Sequence, residues 1–380
     1  SCLREGELNP KHAFPLTITP TGFSFFKTTL CTLSTFVSAD LGIRLNFFMD
    51  VNGGGSSTEA LVGIAMGVIE AGMCQTVAIF RSMNGHSQTR IGGTGARAAA
   101  PVINEFLHER SYGWQSAGQK FAPAFMRHMH DYGTSPEQVA HVKVAHSHHA
   151  SNNPKAYYKQ RVTVEDVINS RMICKPLHLL DCCVETDNAT AIIVTSIERA
   201  KDMRQIPALI RGVVGRVSKP RADLYYEAGP ISTVAGYYAG PRLWRNAGLG
   251  PEEVDVTGSY DAFTFTTMLQ LEDYGFCIKG EGGDYVSNGT TFLGGRRPNN
   301  TSGGHLCEGY THGIAMVVEN VRQLRHEADD SCPIGSDGKR QHTYDHSEGG
   351  CRQVRDVEIS ANLGWATPGT GSALVMRRGV

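Results

Sequence analysis

Apolar residues fall into short runs separated by glycine, and their spacing alternates between strand-like and helix-like. Leu45-Asn46-Phe47-Phe48-Met49-Asp50-Val51 is an apolar-rich run of strand length. After a glycine turn, Leu61, Ile64, Ala65, Val68 and Ile69 recur at the intervals of a helix with one buried face. Ser56, Ser57 or Thr58 can cap its start. Gln75-Thr76-Val77-Ala78-Ile79-Phe80 then reads as a second buried strand. Strand, helix and strand in that order predict a βαβ unit, hence an α/β protein with a parallel sheet.

From 101 to 180 the texture changes to His, Tyr, Lys and Arg with several prolines, which reads as an inserted loop subdomain of short helices. One of them opens at Ser135-Pro136, an N-cap residue followed by proline at the first helical position. Sheet-like texture returns between Cys182 and Ser196. The second half repeats the logic. Val254-Asp255-Val256 is a short strand leading to Ser259-Tyr260-Asp261-Ala262-Phe263 and an apolar helix. Helical phase restarts at Ile314, Val317, Val318 and Val321, residues 326–352 are polar and irregular, and Ser372–Met376 closes the chain as a strand. The pattern predicts two similar halves, 1–203 and 204–380, without a strong internal repeat.

Composition narrows the function classes. The 380 residues carry a net charge of −1 and a sequence pI near 6.9, so no electrostatic footprint for nucleic acid or an anionic membrane exists. No run of about eighteen apolar residues is present, so no transmembrane helix is expected. Ten cysteines lack a disulfide framework or a CxxC pair and argue for free thiols in a reducing cytoplasm. Ser1-Cys2-Leu3-Arg4 is neither an initiator Met nor a signal peptide. His141, His146, His148 and His149 cluster, but with no partnering cysteine or carboxylate set, and no metal is expected there.

Four loops carry the candidate chemistry. Val51-Asn52-Gly53-Gly54-Gly55-Ser56-Ser57-Thr58 resembles the nucleophile loop of the thiolase superfamily, V-N-x-x-C-x-S-G before a buried helix, with Gly55 at the reactive cysteine. Tyr260-Asp261-Ala262-Phe263 resembles the N-E-A-F loop, with Tyr260 at the Asn or His position. Gly303-Gly304-His305-Leu306-Cys307-Glu308-Gly309-Tyr310-Thr311-His312-Gly313 matches G-G-x-x-x-x-G-H-P-x-G without a gap and puts Tyr310 at the histidine. Trp365-Ala366-Thr367-Pro368-Gly369-Thr370-Gly371 ends like the fourth loop, with its cysteine position near Trp365. Val142–Ala156 and Pro176–Ala189 are similar to stretches of the lipid-transfer-protein-like branch, except that Asn188 stands at an expected glycine. The resemblance spans residues 40–380. The first 38 residues do not show the family's opening strand and helix, and Phe23, Phe25, Phe26 and Phe36 look exposed there.

The resemblance implies a thiolase-like fold, two βαβαβαββ-type halves in a layered αβαβα arrangement. It also implies that thiolase chemistry is gone, because an acyl group needs a thiolate to carry it. Cys307 reads as a packed core residue in a strand before its loop. A retro-aldol cleavage needs no carrier. It needs a base, donors for a thioester enolate and a proton at Cα. Tyr310 and Tyr260 are the candidates, with Gly55, Ser57, Asp261, Phe263, His305, Gly309, His312 and Gly369 around the substrate. A tyrosine pKa of about 10 suits a base poorly, and the helix start near Gly313 can lower that of Tyr310.

This set resembles the steroid side-chain-cleaving aldolases of the superfamily. It implies a 17-hydroxy steroid C22 side-chain CoA thioester cleaved to a 17-ketosteroid and propionyl-CoA, with no cofactor beyond the substrate's own coenzyme A. It further implies a homodimer and an OB-fold acyl-CoA-associated partner, with or without a zinc ribbon. The alternatives are a non-catalytic thiolase-like acyl-CoA or lipid-binding protein and a thiolase with an unusual nucleophile.

Overall fold

The computed structural model describes residues 23–28, 34–51, 54–87, 111–113, 116–218, 230–366 and 369–379. Strands β1 (Phe23–Thr28), β2 (Leu45–Val51), β3 (Thr76–Asn84) and a later strand spanning Asp187–Thr195 form one sheet. β1 lies parallel to both β2 and β3 and separates them, so the expected βαβ unit closes around a third strand. That strand comes from the segment in which no opening strand was legible, and Ser34–Asp40 forms a helix, α1, behind it. A strand paired on both sides in a parallel sheet carries no polar alternation to read. Phe23, Phe25 and Phe26 therefore belong to a sheet rather than a free arm, while Phe36 on α1 is exposed.

Helix α2 (Thr58–Glu70) follows the first glycine loop. Ser57 occupies its N-cap position but makes no capping bond, because its backbone is already helical. The Ser56 hydroxyl pairs instead with Thr370 (2.9 Å), and the Thr58 hydroxyl donates to the His312 carbonyl (2.7 Å).

Between the sheets' contributions lie α3 (Ala117–Tyr132) and α4 (Pro136–Ser151), then the hairpin β4 (Met172–Cys174) and β5 (Leu177–His178). α4 opens as expected, with Ser135 accepting the Gln138 N–H and Pro136 in the first turn. Asp187–Thr195 is β6, antiparallel to β3.

The second sheet orders β7 (Ala208–Ser218), β10 (Thr370–Arg378), β9 (Ile359–Ala366) and β8 (Val256–Ser259). Each sheet holds four strands among the described residues. In the second half the remaining place of a five-stranded βαβαβαββ order is a single parallel bridge between Thr257 and Asn299. α5 (Gly236–Ala247) covers β7 and β10, and α6 (Thr264–Asp273) covers β8 and β9. A short helix, α7 (Gly304–Cys307), and α8 (Ile314–Arg325) follow α6 in the chain. α2 and α8 lie between the two sheets, giving a helix–sheet–helix–sheet–helix layering. Leu61, Val62, Ala65, Val77, Ile79, Ile314, Val317 and Leu374 fill that central layer.

Two cysteine expectations change. Cys332 and Cys351 form a disulfide that closes the irregular stretch after α8, so not every cysteine is a thiol. Pairing across an aperiodic segment leaves no spacing signal. Cys307 is fully buried, as expected, but ends the helix α7 rather than a strand.

Candidate active site

The centre of the site is the strand-to-helix turn after β8. The Tyr260 N–H donates to the Leu363 carbonyl (2.9 Å), and its own carbonyl accepts from Gln270 Nε2 (2.8 Å) and Thr266 Oγ1 (3.0 Å). These bonds fix the peptide from β9 and α6. The phenol ring then points at the first glycine loop. A Cβ built on Gly55 would overlap the Tyr260 ring and the Trp365 carbonyl. Tyr260 thus occupies the space into which a side chain at position 55 would project.

Tyr310 reaches the same point from the loop before α8. Its N–H donates to Thr186 Oγ1 (3.1 Å), and its carbonyl accepts from Asn188 Nδ2 (3.0 Å). The Tyr260 and Tyr310 hydroxyls are hydrogen-bonded to each other, with ring centroids 6.2 Å apart. Asn188, the departure from the expected glycine, is part of the clamp on Tyr310.

Burial dominates the electrostatics. It pushes both tyrosines above the usual phenol range. The expected lowering of Tyr310 by the helix start is not found, because burial outweighs every favourable interaction at its hydroxyl. The shared hydrogen bond couples the two, so that one phenol can ionise only while the other keeps its proton and donates. The Arg81 guanidinium, fully buried on β3, lowers both.

Histidines and a carboxylate stand behind the phenols. His305 Nε2 accepts the Gly313 N–H (3.1 Å), and its Nδ1 lies 3.4 Å from Asp261. Burial pulls His305 down to about 4, so the ring is neutral near pH 7. Asp261 accepts the N–H groups of His305 (2.9 Å) and Leu306 (3.2 Å) and lies 2.9 Å from His146. Its oxygens are occupied inside the protein. His312 is almost buried, with its ring 5.1 Å from that of Tyr310.

Phe263 packs on Phe121 of α3 (5.4 Å), which meets Trp365 edge-on (4.6 Å), an apolar wall beside the tyrosines. The Ser57 hydroxyl is buried without a partner among the described residues. Gly309 sits against Thr186, where a Cβ would come within 3.2 Å of Oγ1. Gly369 turns with φ of 63° before β10.

Residues 225–362 match the thiolase C-terminal domain-like family. The chain is 38% identical over 290 residues to the 17-hydroxy-3-oxo-4-pregnene-20-carboxyl-CoA lyase of Mycobacterium tuberculosis, covering 74% of this chain and 75% of that protein. It is 36% identical over 299 residues to the steroid side-chain-cleaving aldolase of Thermomonospora curvata, covering 76% of each. The solved Ltp2-ChsH2(DUF35) aldolase superposes with a TM-score of 0.80 and 31% identity, over 94% of this chain and 87% of that one.

The chain is an aldolase of the thiolase superfamily. A monomeric SCP2-thiolase-like protein from Mycobacterium smegmatis shares the fold, with a TM-score of 0.65 and 17% identity over 94% of this chain and 67% of its own.

Several residues of this aldolase's site carried no signal in the sequence strong enough to single them out. Arg81 lay one residue past the expected strand, which ended at Phe80. In β3 it continues the inward series Val77, Ile79, Arg81, Met83, and a charge in that series is the available signal. Thr186 and Asn188 gave no signal beyond the missing glycine. Two of the four clustered histidines, His146 and His149, have hydrogen-bond partners within the protein. His149 accepts the Leu293 N–H at Nε2 (2.9 Å) and donates to the Asn300 carbonyl (3.2 Å), while His146 donates to Asn299 (3.0 Å). Among the described residues no helix is long and apolar enough to cross a membrane.

Proposed function

We propose that this aldolase cleaves a β-hydroxyacyl-CoA by a retro-aldol step, the substrate being a 17-hydroxy steroid CoA thioester with a C22 side chain. The products are a 17-ketosteroid and propionyl-CoA. The observation that carries the proposal is the Tyr260 ring over Gly55, its hydroxyl bonded to Tyr310. No room exists for an acyl-carrying side chain, and a proton-transfer pair stands in its place.

The singly ionised pair is the working form. Tyr310 takes the proton of the substrate hydroxyl, the Cα–Cβ bond breaks, and its electron pair moves into the thioester as an enolate. The same proton returns to Cα through the paired hydroxyls. One proton moves from oxygen to carbon, and no oxidant or further cofactor is consumed. Gly55, Ser57, Phe263, His312 and Gly369 bound the substrate, whereas Asp261, His305 and Gly309 act from behind by fixing the loops.

A thiolase with another nucleophile fits less well. Cys307 is fully buried beside Lys143 Nζ (3.3 Å), and burial pushes its thiol up. Intact-mass analysis after incubation with acyl-CoA should find the chain unmodified. A non-catalytic binding protein has no need for the two hydroxyls.

The assembly we propose is a cytoplasmic homodimer with an OB-fold, DUF35-type acyl-CoA-associated partner, and the halves 1–203 and 204–380 are its two structural units. The support for the partner is the likeness to the solved Ltp2-ChsH2(DUF35) aldolase. Product mass spectrometry on a panel of β-hydroxyacyl-CoA esters, with and without that partner, tests the reaction. Failure to release a ketone and a shortened acyl-CoA from any of them sinks it. Light scattering of the purified chain tests the dimer, and a monomer at micromolar concentration counts against it.

A further inference from the structure

Among the described groups around the tyrosines, His312 combines a position that the fold secures with a ring nitrogen that no described residue engages. Its backbone has φ of 52°, in the left-handed region that is uncommon outside glycine even though Asn, Asp and His enter it more often than other residues. Two bonds hold it there. Thr58 Oγ1, at the start of α2, donates to the His312 carbonyl (2.7 Å), and the next N–H, that of Gly313, donates to His305 (3.1 Å). Such strain persists only where the surroundings over-determine it, and it gathers at functional sites.

The conformation puts the imidazole among the reacting groups. Its ring lies 5.1 Å from that of Tyr310 and 6.5 Å from that of Tyr260. The residue is 7% exposed, and Nδ1 is buried with no hydrogen-bond partner among the described residues. A buried polar atom without a partner calls for an explanation. His305, the other ring at this distance, differs: Nε2 is taken by Gly313, and Nδ1 faces Asp261. Burial pulls His312 well below the usual imidazole range, so its ring is neutral and carries one N–H.

We infer that the His312 imidazole donates a hydrogen bond to the thioester oxygen and holds the enolate formed when the Cα–Cβ bond breaks. The two tyrosines then manage the proton alone. The inference rests on the aldolase reading of the site. It divides the chemistry by atom: the tyrosine pair serves the hydroxyl oxygen and Cα, and His312 serves the carbonyl oxygen. A neutral donor suits this task, because it gains strength as charge develops on the oxygen and surrenders no proton. The electron pair of the broken bond ends at the thioester, the hydroxyl proton ends at Cα, and the ring is unchanged at the end of the cycle.

The test uses the full chain with two substitutions. His312→Leu removes the donor. His312→Asn keeps a donor and tolerates the left-handed backbone. Two rates are measured: cleavage of a β-hydroxyacyl-CoA, and deuterium incorporation at Cα of propionyl-CoA in D2O followed by NMR. The second rate needs the enolate but no carbon–carbon cleavage. His312→Leu should lower both by about 10²–10³-fold, the usual cost of one oxyanion donor, with KM little changed and the melting temperature retained. His312→Asn should recover much of the loss. If His312→Leu exchanges and cleaves at rates comparable to the unaltered chain, the inference is overturned and the aldolase reading stands. If His312→Asn melts normally and is as slow as His312→Leu, the ring acts by shape and the inference is again overturned. If the unaltered chain cleaves no ester, the aldolase reading fails and takes this inference with it.

Discussion

The phenol ring of Tyr260 stands where a side chain on Gly55 would have to go. The two positions therefore exclude each other: a nucleophile at 55 and this tyrosine cannot be accommodated by the same backbone. Gly55→Cys should not restore thiolase chemistry. It should displace Tyr260, abolish retro-aldol turnover and lower stability by about 1–3 kcal/mol, the usual cost of overpacking. Intact mass after acyl-CoA treatment and a thermal melt are the measurements, and a stable acyl adduct with unchanged melting would refute the steric argument.

Tyr310→Phe should lower kcat by about 10²–10⁴-fold, the range of a general acid–base group. Tyr260→Phe should also cripple turnover, because it removes the donor that favours ionisation of Tyr310. Both variants should still bind acyl-CoA. Turnover near that of the unaltered protein in both would point to the binding-protein reading.

Burial raises both phenols, so only a small fraction of the pair is ionised near neutrality. The rate should climb with pH across the neutral range and show no early plateau. Arg81→Met removes a buried cation that favours the ionised pair. It should depress kcat and carry the rising limb to higher pH. A profile identical to that of the unaltered protein would separate Arg81 from the chemistry.

Asn188 holds the Tyr310 carbonyl through Nδ2 (3.0 Å). Asn188→Ala should loosen that loop, costing about 0.5–1.5 kcal/mol of stability and lowering kcat more than it alters KM. Asn188→Gly, the residue expected from the family pattern, should behave like Asn188→Ala. Full activity in both would make the clamp dispensable.

Glu308, beside the catalytic loop, is half-buried, and desolvation of its carboxyl pushes it up to about 7 from 4.5. The folded state therefore holds this proton more tightly than the unfolded state. Its burden is absent below the unfolded value, grows as pH rises from about 4.5, and is complete above about 7. Stability should fall over that window, on the order of 3 kcal/mol from this residue. Glu308→Gln should flatten its share of the slope in urea melts at pH 5.5 and 8. Glu59, pushed up to about 7 in the same way, leaves a residual slope. An unchanged slope in Glu308→Gln would reject the assignment.

Elements with a clean period were legible. Leu45–Val51 alternates, and the Ser135-Pro136 start of α4 obeys capping chemistry. Tyr310 stood out because glycines at fixed spacing frame its loop, and Tyr260 through the likeness of Tyr260–Phe263 to the N-E-A-F loop. What escaped had no local signature. β1 is enclosed by strands on both sides. α4 lacks an apolar stripe, and its middle is buried because Lys143, His146, Ser147 and His149 each find a partner. Lys143 donates to the Leu306 carbonyl (2.6 Å), and His146 and His149 reach Asn299 and the Asn300 carbonyl. Arg81 and the Thr186–Asn188 clamp act through neighbours far along the chain, which no window of sequence contains.

The bonds that shape the site also set when it can exist. Thr58 and His312 are joined across 254 residues, and Ser56 and Thr370 across 314. Contacts of such separation are closed late, since the entropy of a long loop is lost before any contact compensates it. A nascent chain emerging from the ribosome can form its first sheet early, yet it has no site until the segment around Thr370 has been made. Activity should therefore appear in a single late phase during refolding, after most of the helical signal has returned.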